Sequence, residues 1–275
     1  MSRTQGPSQP PPPYLLDGRY LAVDHIARGE MSNVYSGSDT WTGEHVAIRF
    51  LRSDRPERER IFRGMAERLF GLTSARVVRA IHTSDDRKGR PYLVTELLVG
   101  RGIQTLGKVR WEVACELTRH AALALRDLHL QGLSHGTLTA RSFFVAASAE
   151  TGSRVKLLDL GVGGRGSSPR RDLVALAVIL HGLLFGAPPH HLGIIPRIPN
   201  APPELSEAVE GWLMAEERNT EVSVVEMAKM LRAFIDPTGE DTGPRPPMAS
   251  TGEIVLPKLS RIVFGSKEPT GEDDE

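Results

Sequence analysis

The feature that most constrains this chain is a polar stretch set between a strand-rich first part and a helix-rich second part. Residues 133–144 read Leu-Ser-His-Gly-Thr-Leu-Thr-Ala-Arg-Ser-Phe-Phe, and Asp159-Leu160-Gly161 follows. The side chains between His135 and Phe143 that could face a reactant include Thr137, Thr139 and Ser142, all hydroxyls. A hydroxyl does not act as a general base near neutral pH without help from a neighbour. The ionisable side chains of the stretch are His135 and Arg141, and it carries no carboxylate.

The pattern before this stretch is that of a sheet. Tyr20 to Ile26, Val34 to Ser38 and His45 to Leu51 read as three strands, with Thr42-Gly43 in a turn. Apolar residues at Ile61, Met65, Leu69 and Leu72 predict a helix over 55–72. Val77 to His82 and Tyr92 to Leu97 read as two more strands. From Trp111 the pattern turns helical: 111–131 ending at Gly132, then 173–184, 204–215 and 222–234.

The two ends differ from this middle. Residues 1–13 close on Pro10 to Pro13 and read as a disordered or polyproline tail, a solvated end or a ligand for a proline-binding domain. Residues 237–275 are rich in Pro, Gly, Thr and charge and read as a flexible tail. Thr-Gly-Glu occurs there at 238–240, 251–253 and 270–272, and 252–265 alternates apolar and basic residues. The repeats read as linker composition or, alternatively, as phosphorylation sites at Thr238, Thr251 and Thr270, with 252–265 as a docking segment.

Bulk composition excludes several classes. The 275 residues hold 34 basic and 34 acidic side chains, which gives no general attraction to nucleic acid. One cysteine rules out an internal disulfide or a multi-cysteine metal site. Cys115 lies in a helical pattern and reads as a small buried hydrophobe. The first nine residues are polar, and the longest apolar run, Leu173 to Leu180, is too short to span a bilayer. The expectation is a soluble cytoplasmic protein. His190-His191 follows a proline turn with no third ligand nearby and reads as a solvated loop.

In order and spacing these segments resemble protein kinases, and in particular bacterial Hanks-type Ser/Thr kinases. Residues 26–35, Ile-Ala-Arg-Gly-Glu-Met-Ser-Asn-Val-Tyr, resemble the glycine-rich loop that drapes backbone N–H groups over ATP phosphates. Gly29 matches its middle glycine; Ala27 and Ser32 stand at the other two, and Glu30 adds negative charge. Val46-Ala47-Ile48-Arg49 resembles the V-A-I-K strand, with Arg49 for the phosphate-contacting lysine. The expected helix glutamate falls on Met65, leaving Glu59 or Glu67 as alternative partners of Arg49. Thr95, Glu96 and Leu98 resemble the gatekeeper and hinge. Ile26, Val34, Ala47 and Phe144 match the apolar walls around adenine, with Phe144 larger than usual.

The resemblance implies that His135 is the structural histidine of H-R-D-x-K-x-x-N. Thr137 then replaces the catalytic aspartate, Thr139 the phosphoryl-steadying lysine and Ser142 the asparagine that holds the second metal, while Gly136 replaces the arginine. Asp159 matches the D-F-G aspartate, one residual Mg ligand. Asp172 resembles the anchor of the catalytic-loop backbone, Gly186-Ala187-Pro188-Pro189 the segment after that helix, and Arg218 the late C-lobe arginine. Residues 160–171 form a short span with no A-P-E anchor; Arg165, Arg170 and Arg171 there read as a basic patch or a solvated turn.

The expectation is an α+β, two-lobed protein-kinase-like fold with a shortened activation segment. Residues 14–98 form the N-lobe and 99–236 the C-lobe. The implied function is a catalytically inactive scaffold or regulator in bacterial Ser/Thr phospho-signalling. Its partner would be an active Ser/Thr kinase or a phosphothreonine-reading protein, and no cofactor would be required. Two alternatives stay open: a weak ATP switch using Mg or Mn at Asp159 and Gly29, and an atypical transferase using a carboxylate such as Glu30.

Overall fold

The structure is a computed structural model that describes residues 14–29, 31–146, 155–161, 167–191 and 195–236. The proline run, Glu30, Arg165 and the tail from 237, with its Thr-Gly-Glu copies and the 252–265 segment, lie outside the described residues.

Six strands form one antiparallel sheet: β1 (Tyr14–Leu16), β2 (Tyr20–Arg28), β3 (Ser32–Asp39), β4 (His45–Leu51), β5 (Ala80–Asp85) and β6 (Pro91–Glu96), in the order β1-β2-β3-β4-β6-β5. Side chains alternate across a strand, and the burial follows. Tyr35, Val46, Ile48, Phe50, Tyr92 and Val94 face one side and build a small aromatic core with Leu16 and Tyr20. Leu51 and Leu93 face the other side and join the main core. The first turn is pinned to the sheet by Asp17, whose carboxylate accepts from the Tyr92 hydroxyl at 2.6 Å and lies 3.0 Å from His82 Nε2.

Helix α1 (Pro56–Gly71) begins on proline, whose missing N–H costs nothing at a helix start. It buries Phe62, Met65, Ala66 and Leu69. These join a continuous core with α2 (Trp111–His129), α3 (Pro169–Phe185), α4 (Pro203–Leu213) and α5 (Val224–Ile235). Helix α3 is capped by the Ser168 side chain, which accepts from the Arg171 N–H. Helix α5 is capped by a reciprocal Ser223–Glu226 box. Among the described residues no helix is long and apolar enough to cross a membrane.

Three departures from the sequence reading have physical causes. The strand expected at 77–82 forms at 80–85. Val77 and Val78 are instead buried in the main core, and their backbone pairs with Leu157: Val78 N–H donates to the Leu157 carbonyl at 2.8 Å and Leu157 N–H to Arg76 at 2.9 Å. The three-residue β1 adds a sixth strand. Strands β7 (Gly100–Gly102), β8 (Phe143–Ala146) and β9 (Val155–Leu157) form a second small sheet, too short for a periodic signal.

Candidate functional site

The sheet places several predicted residues together. In register, Val34 stands opposite Arg49 and Ala47 opposite Thr95, so by strand alternation all four share the face turned toward the main core. Thr95 is buried, Val34 and Ala47 are half-buried, and Ile26 is half exposed. Leu98 packs against the main core. Phe144 lies on β8 opposite Gly102, and Gly100 packs tightly on Phe144 and on the Val145 carbonyl. Glu96 is tied to other groups: its carboxylate accepts from Lys156 Nζ at 2.5 Å and from the Arg79 N–H at 2.9 Å.

The hairpin at 26–34 is closed on itself. The Gly29 N–H donates to the Ser32 carbonyl at 2.8 Å, and the Gly29 carbonyl accepts from Arg52 Nη1 at 2.9 Å. Met31 at its tip packs against the main core.

Arg49 does not meet a helix carboxylate. It is half-buried, and its Nη2 donates to the Leu158 carbonyl at 3.4 Å. Burial lowers its pKa, opposed by the nearby Asp159 charge. Met65 is a core residue, Glu59 holds Arg63 at 2.9 Å, and Glu67 is exposed. The side chain that does cross from α1 is Arg68, absent from the sequence reading. Its Nη2 donates to the Ser134 carbonyl at 2.8 Å and its Nη1 to the Gly161 carbonyl.

The polar stretch 133–142 is organised from below by Asp172. This carboxylate is 1 % exposed. It accepts from the His135 N–H at 2.7 Å, the Gly136 N–H at 2.8 Å and lies 2.9 Å from His129 Nε2. Burial would raise its pKa, but these bonds more than offset that and hold it below the ordinary carboxylate value. Gly136 sits at φ 80°, a conformation that strains residues with a Cβ.

Above that anchor, the positions matched to chemistry do local structural jobs. Thr139 and Ser142 cap each other around the short 3-10 turn 140–142: Thr139 Oγ1 accepts from the Arg141 N–H, and the Thr139 N–H points at Ser142 Oγ at 3.4 Å. Thr137 faces Gly161, where an added Cβ would strike the Thr137 hydroxyl and both the carbonyl and ring of His135. Asp159 Oδ1 lies 3.0 Å from His135 Nε2. Burial works to raise the Asp159 pKa, yet the His135 bond, Arg49 and Ser142 bring it below the ordinary value. Among the described residues no group of three or more His, Cys, Asp or Glu side chains is placed to hold a metal ion.

The basic span is likewise engaged: Arg170 Nη1 donates to Asn219 at 2.6 Å and Arg171 Nε to Glu216 at 2.9 Å. Arg218 pairs with Glu210 at 3.0 Å. Arg170 and Glu216 line an open cleft with Ser168, Pro169, Thr220, Glu221 and Val222.

No protein-family model matches the chain. Its sequence is 24% identical over 242 residues to the probable serine/threonine-protein kinase PknB of Lactococcus lactis, covering 71% of this chain and 38% of that protein. It is 27% identical over 210 residues to the DNA damage-responsive serine/threonine-protein kinase RqkA of Deinococcus radiodurans, covering 65% of this chain and 31% of the relative. The match thus spans about a third of these relatives' length. Among solved structures, the Mycobacterium tuberculosis PknI kinase domain superposes with a TM-score of 0.63 at 18% identity, covering 82% of this chain and 100% of that one. The apo form of PpkA-294 gives 0.69 at 18% identity, covering 82% and 99%. The chain has a protein-kinase-like fold, and it is similar in sequence to bacterial serine/threonine protein kinases.

Proposed function

We propose that this kinase-like domain is non-catalytic and acts as a scaffold or regulator by binding a partner protein in bacterial Ser/Thr phospho-signalling. The observation that carries this is the state of the catalytic-loop positions. Thr137, Thr139 and Ser142 supply no carboxylate or amine, and two of them are spent on capping a turn. Phosphoryl transfer needs a base or nucleophile-orienting group, charge stabilisation and metal positioning. None of the three hydroxyls provides these.

The surroundings of the phosphate end support the same reading. The Gly29 N–H is bonded within its own hairpin, and Met31 packs inward. Asp159 is paired with His135, and Arg49 with a backbone carbonyl. These residues are a poor fit to Mg–ATP. Partner binding follows from what survives: a folded two-lobed surface without chemistry. The partner favoured by the resemblance is an active Ser/Thr kinase or a phosphothreonine reader.

Thermal melting of the full chain at millimolar ATP, with Mg, Mn or EDTA, tests this. The expected result is no metal-dependent shift. Ligand at 100 times its Kd would add about 2.7 kcal/mol, so a clear metal-dependent rise overturns the reading. It would favour a second one, a nucleotide-responsive switch. That alternative draws on the shared face of Val34, Ala47, Arg49 and Thr95 and on the Asp159 side chain, which keeps 35% of its surface exposed.

A further inference from the structure

Helix α1 sends one cation out of its own helix to the loops of the other lobe. The Arg68 guanidinium bonds two carbonyls from two different loops, Ser134 at 2.8 Å and Gly161. Ser134 precedes His135, whose N–H is held by Asp172 on α3. Gly161 is pressed against His135 and Thr137. One side chain therefore joins α1, the 133–137 loop and the 159–161 turn, and through Asp172 reaches α3. The planar fork of arginine suits two acceptors in different directions; the compact ammonium of lysine does not. Burial lowers its pKa, opposed by the Asp172 charge, and the guanidinium stays charged across the accessible pH range. Flanking Met65 and Leu69 are buried, so the helix face beside Arg68 is already seated.

We propose that Arg68 is a positioning residue that latches α1 onto the 133–137 and 159–161 loops in one arrangement, without nucleotide. It takes the place of the clamp that Arg49 and Met65 do not make. The partner-facing surface of the two lobes is then permanently set rather than assembled on ligand binding. This stands whether or not the domain is catalytic.

The test is hydrogen exchange on the full chain and its Arg68→Met and Arg68→Lys variants. Loss of charged hydrogen bonds of this kind predicts roughly 10-fold or more faster exchange in Arg68→Met over 56–71 and 133–137. Strands β4 and β6 and helix α5 should be unchanged. Arg68→Lys should fall between native and Arg68→Met, since one ammonium reaches one acceptor. Native-like exchange of α1 in both variants overturns the proposal, as does a uniform loss of protection in Arg68→Lys. A second readout uses nitroxides on R60C and K229C, at exposed sites on α1 and α5; Cys115 is buried and out of reach of the label. One narrow distance, unmoved by ATP and Mg and broadened by Arg68→Met, is expected. A broad distribution in the unsubstituted background, or one that narrows with ATP, overturns the latch.

Discussion

The underside of the 133–142 loop and its upper side have gone different ways. Underneath, Asp172 holds two backbone N–H groups and His129, and Gly136 takes a backbone geometry that a side chain would strain. Above, Thr137, Thr139 and Ser142 present hydroxyls that pack or cap. The loop's backbone is fixed by a buried carboxylate, while its outward side chains at 137, 139 and 142 are hydroxyls. Backbone anchoring by Asp172 serves the fold in its own right, tying the loop to α3 and to His129 on α2.

That contrast gives a ranked set of tests. Asp172→Ala should be the largest, since it leaves buried N–H groups without an acceptor. A loss of about 3 kcal/mol or more is expected in urea denaturation, and a native-like midpoint would break the comparison. The same carboxylate sets an acid limit. Its folded pKa is depressed, so its contribution is complete above the unfolded value of about 3.9 and is lost as pH falls through the folded value. Stability of Asp172→Asn should accordingly fall less steeply below about pH 4 than that of the native chain.

Gly161→Ala comes next. The new methyl would meet the His135 carbonyl and the Thr137 hydroxyl, and overpacking of this kind costs about 1–3 kcal/mol. Thr139→Ala removes only a cap, and about 1 kcal/mol is expected by the same denaturation measurement. Smallest of all is the effect of placing kinase-type side chains on the upper side. A triple Thr137→Asp, Thr139→Lys, Ser142→Asn variant should incorporate no radiolabelled phosphate above background, because Asp159 stays bound to His135 and the 160–171 span stays short. Robust labelling would show that the upper side alone had been lost.

Much of the fold was legible before the structure. Strand β4 was expected at its observed bounds, His45–Leu51, because its alternation is clean on both faces. Helix α1 was placed within a residue at each end by the apolar spacing of Ile61, Met65, Leu69 and Leu72. The strand expected at 77–82 shifted because Val77 and Val78 bury their side chains in one core while their backbone pairs with a segment far along the chain. The mutual capping of Thr139 and Ser142 had a local signal, hydroxyls three residues apart, that was read only as lost chemistry.

Sequence by itself determined which side-chain types stand at 137, 139 and 142, namely three hydroxyls. It also determined the longer elements, since periodicity is local, but not β1 or the small sheet β7-β8-β9. The tertiary structure alone decided the partners. Asp159 pairs with His135 across 24 positions, and Arg68 reaches Gly161 across 93. Arg68 binds backbone carbonyls, which every residue carries, so no pattern of side chains could have announced the choice.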